Sequence, residues 1–249
     1  GTYQSAGSIE YNGDVIAIPV MADDATTPET DGLINGDVLV WGMWDADLCE
    51  DMILFATYSS GPEVFTANGI SFVESFNLTT CQTINFTEGW FLFSTFIASD
   101  ITDMEELFTP IIESIVIVKN NEGLTYLPEW NYNGIGDIAN DQGYQVKTYN
   151  DVSLDICGVQ VNPESTPLNL LSGWNLISYL REEPANVVSV VASLVESNNL
   201  VIFKNYEGLA YLPEWDYNGI GDMFPTQGYQ LKINQAAVLE YLPNSETYE

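Results

Sequence analysis

Two loops of the chain carry oxygen-bearing side chains close enough together in sequence to coordinate a hard cation. The candidate ligands are Asp216, Asn218 and Asp222 in the segment DYNGIGD, and Asp23, Asp24 and Asp31 in an earlier loop. Because Ca²⁺ is bound by carboxylate and amide oxygens, both loops are candidate calcium sites. The first loop can also be interpreted as an Asx turn whose glycines adopt positive φ, and the second as an ordinary solvated loop.

The chain lacks the residues on which most hydrolytic and proton-transfer sites depend. It contains no histidine, which excludes Ser-His-Asp and Cys-His catalysis and the usual proton shuttle near neutral pH. Its cysteines, Cys49, Cys81 and Cys157, form no CxxC pair, so a zinc or thioredoxin-type site is not indicated. Pairs of carboxylates carry no weight for a glycosidase in a chain with 36 acidic residues. The sequence therefore predicts a protein that is not an enzyme.

The acidic composition narrows the class of partner. With 36 Asp and Glu against 5 Lys and Arg, the formal net charge is −31. Such a surface repels nucleic acid and anionic membranes. No apolar run in the sequence approaches the length of a transmembrane helix. We therefore expect no nucleic-acid partner and no membrane insertion.

The strongest pattern in the sequence is an internal repeat. The segment VKNNEGLTYLPEWNYNGIGDIANDQGYQVK, residues 118–147, recurs as FKNYEGLAYLPEWDYNGIGDMFPTQGYQLK, residues 203–232. The two copies are offset by 85 residues, whereas a Gly-Trp pair upstream recurs after 84 residues. The repeat predicts two tandem homologous modules, module 1 at 78–158 and module 2 at 159–243, followed by a tail or linker at 244–249.

Local patterns predict a mainly β protein. Alternating apolar residues in WNLISYL, residues 174–180, and several short apolar runs indicate strands. Helical apolar spacing at 103–114 and 187–196 predicts one short helix in each β-rich module, with Asp103 and Asn186 as N-caps. The segment 1–77 has a different pattern of regularly spaced short strands, which predicts an N-terminal β-sandwich-like (Ig-like) domain.

Cys81 and Cys157 lie near the first and the last strand of module 1. In a compact module these strands can be neighbours, so we predict a disulfide between the two cysteines. Module 2 has no cysteine at either place, so the fold does not require the bond.

Four of the five cationic residues occupy equivalent positions in the two copies, Lys119 with Lys204 and Lys147 with Lys232. One interpretation is that each lysine pairs with acidic residues of its own module. The other is that duplication simply copied them.

Aromatic residues recur beside the Leu-Pro turn of each copy. They are Tyr126 and Trp130 in module 1, and Tyr211 and Trp215 in module 2. Aromatic rings beside a turn can stack on sugars, but they can equally pack into the core around that turn.

The motifs GWNLISYL, KNxEGLxYLPEWxYNGIGD and GYQxK resemble repeat modules of very large secreted and surface proteins of Bacteroidetes, which are adhesins and cargo of type IX secretion. The segments ADDATTPETDGLINGDVLVWGMWD and FTANGISFVES resemble a β module that precedes such repeats. That module has an upstream half with a Cys-Val-Gly motif, which this sequence lacks. The resemblance thus implies a first domain that is truncated or completed by another chain, and it carries no catalytic residues.

These patterns predict a structural or adhesive segment of a large extracellular surface protein or filament, located at the cell surface. Its expected partners are other segments or copies of the same surface protein. A carbohydrate-binding module that contacts surface glycans is the alternative. Calcium is the one cofactor that the sequence suggests.

Overall fold

The computed structural model describes residues 6–11, 15–24, 26, 30, 32–45 and 50–248. The chain divides into two compact units, 1–79 and 80–249. Strands far outnumber helices, and all the sheets are antiparallel. The prediction of a mainly β fold is confirmed.

The first unit is built on one three-stranded sheet in the order β1-β2-β3. Its strands are Trp41–Asp45 (β1), Glu50–Ser60 (β2) and Phe72–Leu78 (β3). Within the described part of 1–79 there is no second sheet, so the other layer of the predicted sandwich does not lie among these residues. Phe65 is the one apolar side chain of that part that is buried. The described residues of this unit therefore enclose very little core.

Module 1 combines a five-stranded sheet, in the order β5-β10-β7-β8-β9, with a three-stranded sheet, in the order β4-β11-β6. Its strands are Thr80–Phe86 (β4), Gly89–Phe93 (β5), Ile97–Ser99 (β6), Ile115–Lys119 (β7), Thr125–Leu127 (β8), Tyr132–Asn133 (β9), Tyr144–Thr148 (β10) and Val152–Gln160 (β11). Its helix Met104–Phe108 (α1) continues as a 3-10 helix, Thr109–Ser114, and a further 3-10 turn spans Pro128–Trp130.

Module 2 repeats the five-stranded sheet in the order β13-β19-β15-β16-β17, which matches module 1 strand for strand. Its strands are Leu168–Leu170 (β12), Gly173–Ile177 (β13), Ala185–Asn186 (β14), Leu200–Lys204 (β15), Ala210–Leu212 (β16), Tyr217–Asn218 (β17), Asp222–Met223 (β18), Tyr229–Ile233 (β19) and Ala237–Leu239 (β20). Its helices are Val187–Val190 (α2) and Ala192–Glu196 (α3), with 3-10 turns at Pro163–Ser165 and Pro213–Trp215. The shared strand order is what the sequence repeat predicts.

Both predicted helix N-caps are present. The Oδ1 atom of Asp103 accepts hydrogen bonds from the backbone N–H groups of Glu105 and Glu106, at 2.9 and 3.1 Å. Asn186 Oδ1 accepts one from Val188 at 3.1 Å. Each helical segment is nevertheless divided in two. In module 1 a proline follows Thr109 and supplies no backbone N–H, whereas in module 2 a run rich in β-branched valine has low helix propensity.

Each module has its own apolar core beneath its five-stranded sheet, and a tyrosine on the second strand of that sheet extends into each core. Tyr144 on β10 and Tyr229 on β19 are fully buried. Their hydroxyl oxygens accept hydrogen bonds from the backbone N–H groups of Ala139 and Phe224, each at 2.7 Å. The phenols thereby satisfy polar backbone groups that the folded chain would otherwise bury unpaired.

Residues 244–248, which the sequence assigns to a tail or linker, pack against module 2. Arg181 is buried and donates from Nη2 to the carbonyl of Glu246 at 2.6 Å. Its guanidinium lies 4.9 Å from the ring centroid of Tyr248. No helix in the described part of the chain is both long enough and apolar enough to cross a membrane.

Candidate functional site

The first candidate calcium loop is an Asx turn. Asn218 Oδ1 accepts hydrogen bonds from the backbone N–H groups of Ile220 and Gly221 at 3.1 and 3.0 Å, and Gly221 has a φ of +75°. Asp216 is left-handed, with a φ of +48°, at the end of the 3-10 turn. Asp222 accepts a hydrogen bond from the Asn186 side chain at 3.3 Å. The loop is thus held by its own hydrogen bonds.

The second candidate loop falls only partly within the described residues, because Asp31 lies outside them. The backbone N–H of Asp23 donates to the carbonyl of Leu33 at 3.0 Å. Asp24 Oδ1 accepts from the backbone N–H of Thr26 at 2.7 Å. Across the described part of the chain, no three carboxylate, histidine or cysteine side chains converge as metal ligands. Calcium at either loop stays a prediction.

Cys81 and Cys157 form a disulfide that joins β4 to β11. The two residues lie directly opposite each other in the antiparallel pair. The corresponding pair in module 2, β12 with β20, extends over only three residues on each strand. The disulfide therefore fastens a part of module 1 that has no paired counterpart in module 2.

The aromatic residues beside the Leu-Pro turns divide into two groups. Tyr126 and Tyr211 are buried and belong to the cores. Trp130 and Trp215 are 72% and 73% exposed. The core interpretation is therefore confirmed for the two tyrosines and wrong for the two tryptophans, whose contact with sugars stays a prediction.

The lysines do not form the ion pairs that one interpretation expected. Among the described residues, no carboxylate oxygen lies within 4.0 Å of a lysine Nζ. Instead, Lys119 and Lys147 approach the ring of Trp90, with Nζ at 5.2 and 5.9 Å from its centroid. These are cation–π distances, and they bring two positive charges to one aromatic side chain.

The two modules contact each other through equivalent parts of each. The backbone N–H of Gly143 donates to the carbonyl of Leu176 at 3.1 Å, and that of Gly228 donates to the carbonyl of Leu92 at 2.9 Å. Gly228 is the repeat equivalent of Gly143, and Leu176 is that of Leu92. Exchanging the modules thus maps one hydrogen bond onto the other, which is the signature of an isologous, two-fold contact.

A groove of about 300 Å³ lies at this junction. It is lined by Trp90, Phe91, Leu92 and Gln145 from module 1, and by Lys204, Asn205, Tyr206, Gly208 and Gln230 from module 2. The Tyr206 ring packs against Phe91 with centroids 4.3 Å apart. The groove combines an exposed indole, a cation and side-chain amides.

Sequence reasoning did not identify this groove. The repeated GW and GYQxK motifs carry part of the signal, since alternation along β10 places Gln145 and Lys147 on one face, opposite Leu92 and Trp90 of β5. No pattern within one module predicts that the second module forms the other wall of the groove.

Comparisons with known proteins identified no relative of this chain. Protein-family models, curated proteins and solved structures were each compared with the chain, and none of them matches it.

Proposed function

We propose that the chain is a structural, adhesive segment of a large extracellular surface protein or filament, and that it acts by assembly and binding rather than by catalysis. The observation that carries this proposal is an apolar sheet face in the first unit that remains accessible to solvent. The proposed partners of this segment are other segments or copies of the same surface protein.

The apolar face is continuous across all three strands of the sheet. Residues that pair across antiparallel strands point to the same side, and the resulting set is Trp41, Met43, Met52, Leu54, Ala56, Phe76 and Leu78. Trp41, Met52, Leu54 and Ala56 are partly buried. Met43, Phe76 and Leu78 are 38%, 39% and 53% exposed. An open apolar face of this kind is typical of a surface that a partner covers.

Two further features support an extracellular setting for this assembly. The disulfide between Cys81 and Cys157 is the kind of bond that persists in oxidising compartments. The charge of −31 favours solubility of a surface segment whose apolar face is not yet covered by a partner. The resemblance of the repeats to modules of large secreted Bacteroidetes proteins agrees with both.

Self-association of the whole chain tests the proposal. We expect sedimentation velocity to show concentration-dependent assembly, and Phe76→Ser to weaken it roughly tenfold or more, because a buried aromatic side chain contributes about 1.5–3 kcal/mol. Phe55→Ser is the matched control, since Phe55 lies on the opposite face of the same sheet and is 38% exposed, against 39% for Phe76. A chain that stays monomeric at every concentration, with either variant indistinguishable from it, would contradict the proposal.

A second candidate function, glycan binding, is favoured by exposed tryptophans in both modules. Trp90 and Trp174 are 48% and 54% exposed on equivalent strands. Exposed indole rings beside polar side chains provide the flat apolar surface on which sugar rings stack. A glycan array tests this function independently of assembly, because Phe76→Ser leaves both modules unchanged.

A further inference from the structure

We propose that the groove at the module junction binds an acidic oligosaccharide, one that carries uronate carboxylates. This inference rests on the second candidate function, glycan binding, and names its site and its ligand class. Trp90 and Tyr206 would contact the sugar rings, Gln145 and Gln230 their hydroxyl groups, and Lys204 a carboxylate.

The charge distribution around Trp90 selects an anionic ligand. Lys119 and Lys147 lie over its ring, and Lys204 lines the groove beside it. These are three of only five cationic residues in the chain, which has 36 acidic ones. No carboxylate of the described chain lies within 4.0 Å of any of the three. Because none of the three forms an ion pair within the described chain, their charges are available to a bound anion.

The net charge of the chain does not prevent such binding. At physiological ionic strength the screening length is about 8 Å. Acidic groups farther away than this therefore contribute little to the potential inside the groove. Among nearer groups, the Glu207 carboxylate accepts a hydrogen bond at 3.3 Å from Asn205, which lines the groove. A bound anion therefore depends on Lys204 to offset this local negative charge.

The amides of the groove select a ligand with hydroxyl groups. Gln145 and Gln230 are half-buried, and neither side chain forms a hydrogen bond to any residue that the structure describes. Each amide offers both donors and acceptors. Half-buried amides without partners favour a ligand that can donate and accept hydrogen bonds at once, as sugar hydroxyls do.

The two symmetry-related positions at the junction differ in two of the residues that line this groove. Phe91 of module 1 is replaced in module 2 by Asn175. Tyr206 of module 2 is replaced in module 1 by Asn121. Asn121 Oδ1 instead accepts a hydrogen bond from the backbone N–H of Leu176 at 2.7 Å. The asymmetry predicts a single binding site for each chain.

The same asymmetry supplies matched control variants. Isothermal titration of the whole chain with oligogalacturonate should show one site that weakens as salt is raised. Trp90→Ala and Lys204→Gln should each weaken it roughly tenfold, as expected for the loss of a central aromatic contact or of a charge-assisted hydrogen bond. Trp174→Ala and Lys232→Gln, which make the same chemical changes in module 2 away from the groove, should leave affinity within about twofold.

Two alternative outcomes would overturn the inference. Equal binding of a neutral oligosaccharide of the same length, unchanged by Lys204→Gln, would show that the lysines do not select the ligand while leaving glycan binding intact. If oligogalacturonate does not bind and Lys204→Gln instead weakens self-association of the chain, the lysines would contact the acidic surface of a second copy. Absence of binding to any glycan would remove the second candidate function together with this inference.

Discussion

Gly143 and Gly228 occupy equivalent positions in the two modules, and they meet where those modules join. A Cβ atom built on Gly143 would lie 2.5 Å from the carbonyl oxygen of Ile177 and 3.4 Å from the Cα of Gly228. One built on Gly228 would lie 2.7 Å from the carbonyl oxygen of Phe93. These glycines are therefore required by close backbone approach rather than by a positive φ. The repeat keeps glycine at this position because both modules use it for the same contact.

This contact is closed, which limits how further modules can be added. Each module uses the same surface towards the other, so both copies of that surface are occupied. A third module of this kind cannot join through the Gly143 surface without displacing one of the pair. Assembly of longer structures must therefore use other surfaces, among which the apolar face of the first unit is the candidate described above.

Alanine at either glycine is predicted to destabilise the unit 80–249. We expect Gly143→Ala and Gly228→Ala each to lower the free energy of unfolding by about 1–3 kcal/mol, because a methyl group forced against backbone atoms must displace them. The double variant should cost less than the sum, since the two sites share one contact. Urea unfolding of the whole chain measures these changes.

Gly42→Ala serves as the control for this prediction. Its added Cβ would meet only the carbonyl oxygen of Met52, at an ordinary 3.7 Å. We expect a change within about 0.5 kcal/mol. If Gly143→Ala were equally neutral, the close approach at the junction would not exist in solution.

Local signals in the sequence were sufficient to predict the elements that local chemistry determines. Asp103 and Asn186 were identifiable as caps because a short polar side chain before an apolar helical pattern satisfies the first backbone N–H groups whatever lies around it. The breaks in the helices were also encoded locally, by the proline after Thr109 and by the valine-rich segment 187–191. The common strand order of the modules follows from the repeat itself.

The junction and its groove could not be predicted in this way, because they depend on how one module is oriented against the other. Gln145 and Gln230 lie 85 residues apart and appear in the sequence as two copies of one strand residue. Only the two-fold packing brings both into the wall of one groove. The open apolar face of the first unit was missed for a related reason, since alternation marks an apolar face but does not reveal whether a second layer covers it.

Removing the disulfide is predicted to destabilise module 1 substantially. Cys81 and Cys157 are separated by 76 residues, and closing a loop of that length restricts the unfolded chain by about 4 kcal/mol. The double variant Cys81→Ser/Cys157→Ser should therefore lose free energy of unfolding of that order, measured by urea denaturation. Adding a reductant to the double variant is the control and should have no further effect on the unit 80–249. A double variant as stable as the wild type would show that the bond contributes nothing.

Chelation separates the two interpretations of the Asp216–Asp222 loop. The calcium hypothesis predicts that adding a chelator lowers the melting temperature, because removal of a ligand bound only by the folded state destabilises it. The Asx turn, held by Asn218 without an ion, predicts no change. Ionic strength must be matched with sodium chloride, so that screening of the acidic surface is not mistaken for ion binding. Asp216→Asn should abolish any decrease in melting temperature that the chelator causes through this loop. A decrease caused through the loop of Asp23 and Asp24 should remain.

Buried tyrosines predict a loss of stability at alkaline pH. Burial raises the pKa of Tyr144 to about 12, against about 10 in an unfolded chain. Burial also raises the pKa of Tyr229 and Tyr241. Because the folded state favours the neutral phenol, this stabilisation is fully present below about pH 10 and is lost as pH rises through the folded-state pKa. For Tyr144 alone the loss is about 2.3 kcal/mol at about pH 12 and approaches about 2.7 kcal/mol only above that pH.

Tyr144→Phe isolates the contribution of one phenol to this alkaline loss. The substitution removes the titrating group, so the free energy of unfolding should fall less steeply between about pH 10 and 12 than in the wild type. At neutral pH it should cost about 1–3 kcal/mol, because the backbone N–H of Ala139 loses its acceptor. Urea unfolding across this pH range, together with the absorbance of tyrosinate, measures both effects. Deprotonation of lysine makes the acidic chain still more negative in both proteins, so the difference between them reports Tyr144. Parallel pH profiles for the two proteins would show that the folded state does not favour the neutral phenol.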